Sequence, residues 1–181
     1  MKKGLGTVLL CLLVLLGCGR QGKQASLADK SREVVTMHGF HMVQTELGIK
    51  KYTIDAEEAN INSRIKLISF KTVKTKYYDK EKEIADLKSN TGVIHTETND
   101  IEVRGGVILR TTDGSRLETE SLSWSSSRNK LNTQAFVKVF RGDNVMSGYG
   151  LESDLLLENV TIKKVSTRIS DLETFKDKDK K

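Results

Sequence analysis

Ile101-Glu102-Val103-Arg104-Gly105-Gly106-Val107-Ile108-Leu109-Arg110 decides the fold. Ile101, Val103, Val107 and Leu109 share one face at the two-residue period of a half-buried strand. The two glycines between them leave that phase intact, and glycine inside a strand marks a bulge or a close backbone approach. Asp113-Gly114 then supplies a tight hairpin turn before Arg116-Leu117-Glu118-Thr119 resumes the alternation. This is the pattern of an antiparallel β-meander.

Outward from this stretch, alternation predicts further strands over 51–56, 65–78, 84–87, 93–96, 122–124, 135–140 and 145–149. A β-branched stretch over 160–169 closes the set, with Ile162, Val165 and Ile169 as its apolar members. No segment of about twelve residues carries helical periodicity, and 55–61 allows one helical turn at most. The 181 residues contain no proline, which leaves long ladders unbroken and excludes collagen-like, mucin-like and polyproline chains.

Hydrophobic residues make up 37% of the chain and charged residues 30%, the balance of a globular domain able to bury its own core. Two Cys and three His are too few for a zinc ribbon or an iron–sulfur ferredoxin, so no metal and no cofactor is expected. The net charge is +6, with basic residues spread along the chain and concentrated only near 176–181. Nucleic-acid binding, which calls for a basic stripe with interleaved aromatics, is not expected.

The first residues read as a targeting segment. Lys2 and Lys3 precede an apolar run over 5–16, the length of a signal-peptide core and short for a membrane span. The run ends Leu15-Leu16-Gly17-Cys18, which resembles a bacterial lipobox, where a small residue precedes the acylated Cys. Residues 1–17 are therefore expected to be a lipoprotein signal peptide, Cys18 the lipid anchor, and 18–35 a polar tether. An uncleaved membrane anchor is the alternative; either way the domain over 36–170 faces away from the cytoplasm. Cleavage would remove Cys11 and leave 28 basic against 24 acidic residues, a net charge of +4. Residues 171–181 read as a charged, disordered tail.

A short motif recurs at intervals of about thirty residues, a spacing typical of stacked supersecondary units. Ala56, Leu87, Thr119 and Gly148 occupy its corresponding position. Each unit is expected to be a V-shaped pair of strands that turns a corner at that residue. Stacked, such units enclose an apolar interior between two facing sheets and leave an open edge at each end.

Thr45-Glu46-Leu47-Gly48-Ile49-Lys50-Lys51-Tyr52, the Ala56 and Ala59 pair, the Ile101–Val107 stretch with Asp113-Gly114, Leu117-Glu118-Thr119-Glu120-Ser121-Leu122-Ser123-Trp124, and Gly148-Tyr149-Gly150-Leu151-Glu152-Ser153-Asp154 follow in this order. Together they resemble the LptC family, the membrane-attached periplasmic component of lipopolysaccharide export. The resemblance covers roughly 35–169 and implies an all-β, twisted antiparallel β-jellyroll like that of OstA and LptA. Many LptC proteins have an N-terminal membrane span in place of a lipobox-like end, so the resemblance leaves the mode of anchoring open.

The resemblance further implies a lipid carrier. It would receive lipopolysaccharide from the inner-membrane transporter LptB, LptF and LptG, hold the acyl chains between the sheets, and pass the lipid by edge-to-edge pairing to the bridge protein LptA. Phe70 matches a groove-lining aromatic, and Ile169 stands where such an aromatic can occur. Val103, Val107, Leu109, Leu117, Leu122 and Trp124 complete the expected groove, although plain core packing explains each of them equally. Gly48 is placed where chains approach closely, and Gly150 near an edge used in assembly; backbone geometry alone is the competing reading for both.

No catalytic residue is expected. The chain carries no G-x-S-x-G elbow and no phosphate-binding glycine loop, and Glu57 and Glu58 are neighbours that a strand points to opposite faces. His38 and His41 are spaced for a shared metal but lack a third ligand other than Glu46. Arg141-Gly142-Asp143 reads as a polar hairpin turn. Two alternatives stand beside the carrier: an LptA-like bridge, and a structural jellyroll lipoprotein without a carrier role.

Overall fold

The computed structural model describes residues 34–169. Nine strands run in sequence order as one antiparallel meander: β1 (Val34–Glu46), β2 (Ile49–Asn62), β3 (Leu67–Asp79), β4 (Lys82–His95), β5 (Asp100–Thr111), β6 (Arg116–Ser125), β7 (Lys130–Arg141), β8 (Asn144–Ser153) and β9 (Thr161–Ile169). Among the described residues each strand pairs only with its sequence neighbours, so β1 and β9 are the edge strands.

The strands are long because each is two strand segments joined through a bend. Ladder pairing is interrupted near the middle of successive strands, at Gly39, Glu57, Thr72, Asn90, Gly105-Gly106, Glu120, Gln134-Ala135 and Gly150. These interruptions line up across the sheet as a crease. On β5 the crease needs glycine: Gly105 holds φ +84, and a Cβ there would meet the Asn90 side chain at 2.8 Å. Hydroxyls replace the missing ladder bonds. Thr91 Oγ1 donates to Arg104 O at 3.3 Å, Thr119 Oγ1 to Phe136 O at 2.9 Å, and Ala135 N donates to Thr133 Oγ1 at 3.1 Å.

Folded along the crease, the sheet closes on one apolar interior. Val103 and Leu122 come from one side of it, Leu109, Leu117, Val137 and Val139 from the other, and all six belong to a single buried cluster. The Phe40 and Phe70 rings, from opposite sides, lie 5.5 Å apart. All hairpin turns fall on the two lips of the fold, opposite the crease.

The structure modifies several sequence expectations. Strand β1 was not among those predicted, and it begins at Val34, inside the segment read as tether. Residues 55–61 form β2 and no helical turn, because the crease at Glu57 breaks the two-residue phase. The segments predicted over 84–87 and 93–96 are two halves of β4, and those over 116–119 and 122–124 are halves of β6. The corner lies one to three residues beyond Ala56, Leu87, Thr119 and Gly148, all of which sit on even-numbered strands, so each thirty-residue repeat is a hairpin of two bent strands. Residues 63–66 form a turn, and Val165 is exposed. Arg141-Gly142-Asp143 does form the β7–β8 turn. The signal segment, Cys18, the tether to 33 and the tail over 171–181 lie outside the described residues.

Candidate functional site: the mouth of the creased sheet

Between the two lips lies a cleft of about 770 Å³. Tyr52, Tyr77 and Ile84 line it from one lip, Trp124 and Asn129 from the other, and Leu155, Leu156 and Glu158 of the β8–β9 loop form its end wall. Period-two alternation puts Tyr52, Tyr77 and Trp124 inside, and a register shift beside Ile84 breaks the phase of β4 there. Tyr52 pairs with Tyr77 across β2 and β3, their ring centroids 6.2 Å apart, and Trp124 pairs with Ile101 and Leu131. Burial pushes the phenols of Tyr77 and Tyr52 above the ordinary tyrosine value, so both remain neutral donors in a wall of mixed polarity. Charged side chains share the lining: Glu46, Lys51, Asp79, Asp154 and Glu158 border the cleft, Lys51 lies 3.4 Å from Glu46, and Lys50 stands 3.8 Å over the Tyr78 ring.

The cleft is the outer end of the interior. Of the groove residues expected from sequence, Phe70, Val103, Val107, Leu109, Leu117 and Leu122 are buried together behind it, and Trp124 is the member that reaches the cleft itself. Ile169 pairs by its backbone with Val145 at the end of β9, and its side chain lies outside the described residues. Gly48 sits in the Leu47-Gly48 turn at φ +78, where a Cβ would meet no atom of this chain within 4 Å. Gly150 lies on the crease in β8, where a Cβ would come within 3.1 Å of the Lys163 stem on the loop-to-edge strand β9.

Sequence reading passed over Tyr52, Tyr77, Arg141 and the leucines at 155–157. The tyrosines lay within predicted strands, and the signal that set them apart was their in-phase position near strand ends. Three consecutive leucines in a predicted connection were a clearer sign, since a solvated loop has no use for them. Among the described residues no group of three or more His, Cys, Asp or Glu is placed to hold a metal ion. His41 Nδ1 instead lies 2.7 Å from Asp55.

Comparison with known proteins agrees with this geometry. The sequence matches the profile of the family described as lipopolysaccharide-assembly, LptC-related, over residues 6–170. The chain belongs to this LptC-related family. The family is a non-enzymatic component of lipopolysaccharide transport. Among solved structures, the LptC-related chain is similar to LptH from Pseudomonas aeruginosa, the LptA-homologous periplasmic component of the lipopolysaccharide transport device. The TM-score is 0.53 at 11% identity, over 66% of this chain and 94% of LptH, a likeness of fold. No curated protein sequence matches the chain.

Proposed function

We propose that this chain is a periplasmic carrier that takes lipopolysaccharide from the inner-membrane transporter of LptB, LptF and LptG and passes it to an LptA-like bridge. The observation that carries the reading is the cleft itself, whose Tyr52, Tyr77 and Trp124 adjoin a single buried apolar cluster. Acyl chains enter at Tyr52, Tyr77 and Trp124, and as the lips part they reach Phe70, Val103, Val107, Leu109, Leu117 and Leu122 behind. Each methylene removed from water contributes about 0.8 kcal/mol, so roughly six of them offset the cost of parting a few half-buried contacts.

Transfer proceeds through the free edges. Strands β1 and β9 offer unpaired backbone groups to which a neighbouring jellyroll can add a strand, with Gly48 beside one edge and Gly150 beside the other. Six large apolar residues, Val34, Val35, Met37, Val43, Leu47 and Ile49, are exposed on β1 or at the β1–β2 turn, as an edge that is covered in an assembly requires. An acylated Cys18 holds the domain to the inner membrane. The test is a photo-crosslinker at Tyr52 in the lipopolysaccharide-loaded chain, followed by addition of an LptA-like acceptor. Crosslinked lipid at Tyr52 that declines as lipid appears on the acceptor supports the carrier; crosslinks no stronger than at an exposed position such as Lys74 overturn it.

A further inference from the structure

The interior is closed at one end by a clasp. At the β1 end Phe40 and Met42 are only half-buried, whereas at the β8 end Leu157 of the β8–β9 loop is fully buried in the core cluster. Arg141 sits at the end of β7 on the opposite lip, and its Nη2 donates to the Leu157 carbonyl and, at 3.4 Å, to Glu158 O. The loop is also tied from within. The Asp154 carboxylate accepts from Glu158 N at 2.8 Å, Asn159 N at 3.0 Å and Asn159 Nδ2 at 2.7 Å. Leu155, Leu156 and Glu158 form the end wall of the cleft, so this loop stands between the cleft and the β9 edge.

The closed arrangement also carries costs. Leu157 holds φ +58, in the left-handed region that leucine rarely adopts. Ser153, at the base of the loop, buries a hydroxyl with no hydrogen-bond partner. Displacing the loop relieves both while giving up the burial of Leu157 and the Arg141 clasp. An element with opposed terms of this kind is poised between two states.

We infer that residues 154–160 are a gate, with Leu157 the stopper and Arg141 the latch, which keeps the acyl chains of bound lipid from reaching the β8–β9 end until it opens. The inference rests on the carrier reading and adds an order to it: lipid enters at the open mouth, stops at Leu157, and continues toward the β9 edge only after the latch releases. Met42 on β1, opposite Ile54, and Met146 on β8, opposite Val139, report the two ends, because both are half-buried against the core.

The experiment uses the full chain grown with photo-methionine, loaded with acylated lipid A, irradiated, and mapped by mass spectrometry. In the parent chain lipid attaches at Met42 and not at Met146. Arg141→Ala, which removes the latch and keeps Leu157, and Leu157→Asn, which suits the left-handed backbone and removes the stopper, both raise the Met146 to Met42 ratio by about tenfold, the scale of one charge-assisted hydrogen bond. Amide exchange at Glu158 and Asn159 rises by a similar factor in Arg141→Ala. Lipid at Met146 in the parent chain equal to that in the variants overturns the gate and leaves the carrier standing. Lipid at neither methionine in any of the three overturns the carrier and the gate with it.

Discussion

Gly148 is the position where one added methyl group should cost the most relative to its size. It lies on β8 beneath β9, and a Cβ built there would sit 2.3 Å from the Lys164 carbonyl oxygen and 2.6 Å from Ile162 Cγ2. The first of these is backbone, so a rotamer change cannot relieve it; β9 must move outward by about 1 Å to restore van der Waals contact. Overpacking of this kind costs about 1–3 kcal/mol, and the backbone contact places Gly148→Ala near the upper end. For a domain of this size that corresponds to a fall in Tm of roughly 10 °C. Urea unfolding measures the loss, and amide exchange across 161–169 locates it. Ser147→Ala, one residue away with a Cβ already accommodated, is the control and should change stability by less than about 0.5 kcal/mol. A Gly148→Ala protein as stable as this control, with β9 still protected, would refute the close approach of β8 and β9.

Three further outcomes follow from the same geometry. Leu117→Ala empties a fully buried site opposite Leu109 and should cost about 2–5 kcal/mol in urea unfolding. Leu47 is 97% exposed and holds φ +52 ahead of Gly48, so Leu47→Asn suits the turn, loses no contact, and should stabilise by about 1 kcal/mol on thermal unfolding. The Asp113 carboxyl is held below its ordinary value of 3.8 by hydrogen bonds from the Thr111 hydroxyl and from the Ser115 amide and hydroxyl. Its folded pKa being depressed, its contribution is present above pH 3.8 and fades as pH falls through the lower folded value. Asp113→Asn should therefore destabilise at neutral pH and lose less than the parent on acidification, read from unfolding curves across that range.

The sheet was legible because its interior writes a two-residue period that survives the crease. Val103 and Val107 keep phase across Gly105-Gly106, so β5 reads correctly end to end. Where the crease carries no glycine the pattern reads unevenly: β4 and β6 look like two segments each, and in β2 the alternation stops at Ala56, before the crease at Glu57. Strand β1 escaped for a different reason: an edge strand covered on one side has few buried positions, and its exposed Val34, Val35, Met37 and Val43 write no alternation. At the site, Phe70, Val103, Val107, Leu109, Leu117 and Leu122 are packed in the buried cluster and Trp124 alone of the expected residues reaches the cleft, since strict burial is what alternation reports. The mouth depends on where strands end and which lips face one another, and the Arg141 clasp on Leu157 joins residues sixteen apart through a loop that no period describes.

The central claim is that acyl chains occupy the mouth of the creased sheet, and Trp124, the single tryptophan of the chain, reports on that place directly. The measurement is Trp124 fluorescence during titration with lipid A brominated along its acyl chains, beside the deacylated saccharide and a brominated phospholipid. Saturable quenching by the brominated lipid A, stronger than by the phospholipid and absent with the saccharide, is the predicted result. Trp124 emission that remains unquenched by brominated lipid A at saturating concentrations would contradict the account.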